Sequence, residues 1–249
     1  MRNMTETGTH GPSLPSRYQA LLARVEKRAL QARRSPSDIT LIAVTKTHAA
    51  ETIKEALSLG MMDFGENRVQ EAEQKINAIG RDSAQWHLIG HLQANKARRA
   101  VQLFDIIHSL DSVSLAQRLD RLCDEEGTTL PVLIQVDLAG EQTKSGVKES
   151  ELKGLSNVVR DCRHLELRGL MTLPPFFEEP ERVRPYFGRL RELRDELDRQ
   201  EYFGNNKGEL SMGMTHDFEI AIDEGATMIR IGTAIFGARE HKEAGTTAW

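Results

Sequence analysis

A single-domain (β/α)8 barrel of the TIM type, with an extra N-terminal helix, is the fold class this sequence predicts. Three observations carry that expectation. Eight short β-branched or aliphatic runs recur along the chain, amphipathic segments separate them, and 249 residues with 39% hydrophobic content suffice for one large core. An open doubly wound sheet is the competing architecture. It would place a glycine-rich turn after its first strand, where this chain has Lys46-Thr47-His48.

Residues 1–15 are polar and rich in Thr, Gly, Ser and Pro, so a flexible tail is expected there, followed by the barrel at 16–238 and a second tail at 239–249. Residues 16–33 carry Leu21, Leu22, Val25 and Leu30 among charged neighbours, the stripe of a helix packed on a larger body. Strands are expected at 39–46, 62–66, 85–90, 106–110, 131–138, 165–173, 209–214 and 228–236. Helices are expected at 51–59, 69–76, 94–104, 114–126, 151–162, 182–199 and 217–224, the last ending just before Gly225.

A formal net charge of -4 argues against sequence-independent binding to nucleic acid, whose affinity comes mainly from phosphate neutralisation. The basic cluster Lys96, Arg98 and Arg99 lacks interleaved aromatics and reads as a solvated helix face. Cys123 and Cys162 have no CxxC spacing, so buried thiols are expected rather than a disulfide or cysteine metal site. His87 and His91 stand four apart without the glutamate of a zinc-protease helix, and no metal is expected. No apolar run approaches the length of a membrane span and no secretory signal opens the chain, so a cytoplasmic protein is expected.

Lys46 closes the first strand-like run, Ile39-Thr40-Leu41-Ile42-Ala43-Val44-Thr45. Desolvation disfavours an ammonium, and a neutral amine attacks aldehydes to form a Schiff base, so Lys46 is a candidate covalent anchor. The alternative is a lysine snorkelling from a strand end. Downstream, Leu210-Ser211-Met212-Gly213-Met214-Thr215 runs from a strand into a helix, with hydroxyls and backbone N–H groups suited to an anion. The next strand carries Arg230 in an apolar run and ends in Gly232 and Thr233, a second half-cradle. A lysine on strand one, an arginine on strand eight and a phosphate cradle between strands seven and eight describe a site for a phosphorylated aldehyde. Pyridoxal 5'-phosphate fits. Its phosphate would meet Ser211, Gly213, Gly232 and Thr233, and Arg230 would meet its pyridine nitrogen. A guanidinium does not surrender its proton, so demanding carbanion chemistry is disfavoured.

These residues, with Ala43-Val44-Thr45-Lys46, Phe64-Gly65-Glu66-Asn67-Arg68-Val69-Gln70-Glu71, Trp86-His87-Leu88-Ile89-Gly90, Thr143-Lys144-Ser145-Gly146 and Arg230-Ile231-Gly232-Thr233, closely resemble the pyridoxal-phosphate homeostasis proteins. That YggS-like family is related to the barrel domain of alanine racemase. The resemblance implies a protein that holds the cofactor as an imine on Lys46, buffers it and delivers it to apo-enzymes, without robust catalysis. It implies cofactor contacts at Lys46, Asn67, His87, Ser211, Met212, Gly213, Arg230, Gly232 and Thr233. His87 has a second reading as a hydrogen-bonded core histidine, and Lys144 as a solvated loop lysine rather than a transient aldehyde acceptor. Against the usual pattern, Asp137 replaces an asparagine and Thr215 a serine.

Two other functions compete. A one-domain racemase needs an acid/base group on each face of the substrate carbon, and Tyr18, Tyr186 and Tyr202 all fall in helix-like segments. A Schiff-base aldolase would use Lys46 directly on a sugar phosphate.

Overall fold

The computed structural model describes residues 11–140 and 145–237. In chain order the strands are β1 (Thr40–Val44), β2 (Asp63–Glu66), β3 (Gln85–Leu88), β4 (Ile106–Leu110), β5 (Leu130–Asp137), β6 (Val147–Lys148), β7 (Leu165–Met171), β8 (Glu209–Ser211) and β9 (Met228–Ile231). The helices are α1 (Leu14–Gln31), α2 (Ala50–Ser58), α3 (Val69–Ile79), α4 (Ala97–Leu103), α5 (Val113–Glu126), α6 (Glu149–Asp161), α7 (Arg184–Asp198), α8 (Phe218–Asp223) and α9 (Thr233–Phe236). All strand pairings are parallel. β1 lies between β2 and β9, the series continues through β3, β4, β5, β7 and β8, and the β4–β5 pairing closes the ring of eight. β6 is a two-residue addition beside the end of β5.

Each expected strand is present, and its ends show what periodicity leaves open. The last was expected to run to Phe236, but it stops at Ile231 and residues Thr233–Phe236 form a helical turn. An apolar run of that length has no period that separates strand from helix. β1 ends at Val44, so Lys46 stands in the following turn, half-buried, rather than in the sheet interior. Beyond it, Thr47 takes a positive φ of 70°. α1 starts two residues before the expected helix, capped by the Ser13 side chain, which accepts from the Ser16 N–H, with Pro15 in its first turn. Its buried stripe of Leu21, Val25 and Ala29 packs the helix against α8 and α9.

The core has two layers. Ile42, Ile106, Leu133, Met171 and Met228 form the apolar cluster inside the barrel, and a larger cluster fills the space between strands and helices. Fully burying each such aliphatic side chain contributes about 1.5–3 kcal/mol. Cys123 sits in the outer layer, whereas Cys162 is only half-buried, and burial pushes both thiols up to about 11. Among the described residues no helix is long and apolar enough to cross a membrane.

Candidate functional site

The C-terminal ends of β1, β2, β8 and β9 surround a cavity of about 350 Å³. Its wall carries Lys46, Asn67, Thr215, Arg230, Gly232 and Thr233, with Val44 and Ile89 as apolar lining. Ile42, Val44 and Lys46 are two apart, so the alternation of β1 carries past its last residue and brings Lys46 onto the cavity side. Five of the nine residues expected at the site therefore meet in one place, although they come from both ends of the sequence.

Arg230 is 3% exposed. Burial pulls its guanidinium down to about 10, against the attraction of Asp217. One Nη donates to Thr172 O at 2.9 Å and the other to Ser211 Oγ at 2.6 Å. Ser211 in turn lies 2.9 Å from His108 Nδ1, His108 Nε2 lies 2.9 Å from His87 Nδ1, and His87 Nε2 lies 3.1 Å from Asp63 Oδ1. A guanidinium only donates, so the Ser211 hydroxyl accepts from Arg230 and gives its own proton to His108. The order propagates: each imidazole accepts on Nδ1 and donates from Nε2, ending on the Asp63 carboxyl group. Burial, with His87 and Arg230 nearby, holds His108 well below its ordinary value.

Ser211 and His87 thus lie behind Arg230 rather than on the wall. The phosphate expectation for Ser211 meets a physical obstacle, since its side chain is wholly buried and its proton committed. Thr215, half-buried, is the hydroxyl residue of that stretch that lines the wall. Met212 is buried in the outer core layer. Gly213 has φ +92°, and a Cβ there would fall 2.5 Å from the Ala221 Cβ, so glycine is required for β8 to turn into α8. Gly232 differs: its φ is −111°, and an added Cβ would make only ordinary contact with Val44, at 3.5 Å and beyond. Lacking a side chain there keeps the cavity wall open.

His48, Met214 and His216 also reach the wall and were not singled out from the sequence, because no local pattern distinguishes them from loop residues. The His48 ring packs on Phe236 at 4.8 Å, and His216 Nε2 lies 3.2 Å from Phe177 O. Asp137 Oδ1 accepts from the Ala139 and Gly140 N–H groups at 3.0 Å each, capping the turn after β5. Lys144 lies outside the described residues.

Comparison with known proteins places these features in context. Residues 19–240 match the family model described as alanine racemase, N-terminal domain. The pyridoxal phosphate homeostasis protein of Aquifex aeolicus is 42% identical over 225 residues, covering 90% of this chain and 98% of that protein. The protein of the same name from Pseudomonas aeruginosa is 41% identical over 219 residues, covering 88% of this chain and 93% of its own. Among solved structures, PipY of Synechococcus elongatus with pyridoxal phosphate bound superposes with a TM-score of 0.78 at 37% identity, covering 90% of this chain and all of PipY.

Proposed function

The chain belongs to the pyridoxal phosphate homeostasis protein family, and on that footing we propose that it binds pyridoxal 5'-phosphate in the cavity between β1 and β9. It holds the cofactor through Lys46, buffers it, and releases it to apo-enzymes without turning over a substrate of its own. One observation carries the proposal: a half-buried lysine and a buried arginine share a wall with small hydroxyl and glycine residues, a set suited to an anionic aldehyde. When bound, the cofactor would supply a reactive aldehyde, and Lys46 is the residue whose amine would hold it.

The chain's own residues divide the work. Lys46 anchors, Asn67 reaches the wall from the end of the neighbouring β2, and Thr215, Gly232 and Thr233 offer the phosphate a place beside the first turn of α9. Arg230 is assigned to the pyridine nitrogen. Its guanidinium donates there and keeps its charge at neutral pH, which leaves the ring nitrogen unprotonated and the bound cofactor a weak electron sink. Ser211 and His87 serve by holding Arg230, while Met212 and Gly213 shape the turn behind it. A titration of the purified protein with pyridoxal 5'-phosphate, followed by visible absorption, tests this. Wild type is expected to saturate with a shifted band that Lys46→Ala lacks; identical titrations of the two proteins would refute the assignment.

A further inference from the structure

We propose that Lys75 is a positioning residue for Lys46: a buried ion cluster built on Lys75 fixes the turn from which Lys46 enters the cavity. The inference rests on Lys46 being the covalent anchor. Lys75 projects from α3 and is 6% exposed. Its ammonium lies 2.6 Å from Thr45 O, 2.6 Å from Glu66 Oε1 and 2.7 Å from Glu71 Oε1, which uses all three of its donors. Thr45 Oγ1 donates to the same Glu66 oxygen at 2.6 Å, and the Thr47 N–H donates to Glu71 Oε1. The residues on both sides of Lys46 are therefore tied to acceptors that Lys75 holds in place.

Two features argue that this cluster does more than stabilise the barrel. Thr47 keeps a positive φ of 70°, a conformation that a β-branched residue adopts only when its surroundings impose it. Among the described residues no group hydrogen-bonds the buried Glu66 Oε2, so an apolar packing of the same volume would serve stability better. Burial pushes the Glu66 carboxyl up despite Lys75 and Thr45. At Glu71 burial also acts upward, but hydrogen bonds from Lys75 and from the Thr47 amide bring the carboxyl below its ordinary value. The cluster holds charge beside the turn at an energetic cost, which suits a site that must present one amine in one place.

In the step that this placement serves, the Lys46 nitrogen adds to the aldehyde carbon. The C=O bond is replaced by C=N, and the carbonyl oxygen leaves as water with the two amine protons. The test uses the full chain as wild type, Lys75→Met and Glu71→Ala. It measures the rate of covalent capture of pyridoxal 5'-phosphate by stopped flow and, without cofactor, hydrogen exchange at the Thr47 amide. Lys75→Met is expected to keep the wild-type circular dichroism, to exchange faster at Thr47 and to capture the cofactor about tenfold more slowly or worse. Glu71→Ala, which frees the Thr47 amide but leaves Lys75 paired with Glu66, gives the same pattern and replaces Lys75→Met should that variant fail to fold. A folded variant with a lower melting temperature but unchanged capture and unchanged Thr47 exchange overturns the proposal. Absence of label on Lys46 in the wild type would instead overturn the cofactor assignment on which it stands.

Discussion

Arg230 Nη donates to Ser211 Oγ at 2.6 Å, and this bond sets the direction of every hydrogen bond beyond it, through His108 and His87 to Asp63. A polar chain thus crosses the barrel interior beneath the cavity and ends at the guanidinium assigned to the cofactor ring. Ser211→Ala leaves a buried donor and a buried acceptor unpaired and is expected to cost about 1–3 kcal/mol of stability. Thr233→Val, on the cavity wall, is expected to weaken cofactor binding while changing stability by no more than about 0.5 kcal/mol. Denaturant midpoints and dissociation constants for the two variants check the division; the reverse pattern would show that Ser211 is the ligand.

The two glycines near the site should separate in the same way. Gly213→Ala forces a Cβ to 2.5 Å from Ala221 at positive φ and is expected to destabilise the fold by about 1–3 kcal/mol. Gly232→Ala meets only ordinary contacts in the protein but narrows the cavity, so it should leave the melting temperature near wild type and weaken cofactor binding. Equal loss of stability in both would contradict the role given to Gly232.

His108 makes stability depend on pH. Its folded value lies well below 6.5, chiefly because burial penalises the imidazolium, with His87 and Arg230 adding repulsion. Between 6.5 and the depressed folded value the unfolded chain binds a proton that the folded chain does not, so stability present above pH 6.5 is lost as the pH falls through that window. One such group contributes a slope of about 1.4 kcal/mol per pH unit. His108→Gln, which can still accept from Ser211 and donate to His87, should flatten the curve of melting temperature against pH below 6.5. An unchanged slope would assign the dependence to another group.

Turnover is expected to be absent. No tyrosine stands among the described residues of the cavity wall: Tyr186 stacks on Phe177, and the Tyr202 hydroxyl donates to Asn157 at 2.6 Å. A racemase would need His48 or His216 to oppose Lys46. Cofactor-loaded protein incubated with alanine in deuterium oxide should exchange the α-hydrogen no faster than free cofactor does. Exchange that is fast and lost in His216→Ala or His48→Ala would make it an enzyme.

Much of this was legible in the sequence because the barrel repeats one signal eight times, and because Arg230 is a charge inside an apolar run that a sheet interior does not tolerate without purpose. The supporting networks were not. His108 lies in Ile-Ile-His-Ser-Leu, where nothing local says whether a histidine faces a partner or the core. Lys75 follows Glu71 by four residues, the spacing of a surface ion pair, and only the fold shows that Lys75 is buried beside the Lys46 turn with Glu71 half-buried next to it. Ser211 and Thr215 offer the same hydroxyl chemistry, and which of them reaches the wall depends on where β8 stops and Gly213 turns the chain.

The central claim is that Lys46 holds the cofactor covalently. Borohydride reduction of the full chain equilibrated with pyridoxal 5'-phosphate, followed by peptide mass mapping, tests it most directly. The predicted result is stoichiometric label on the peptide containing Lys46 in wild type, with none at an equivalent position in Lys46→Ala. Label scattered over surface lysines alike in both proteins would contradict it.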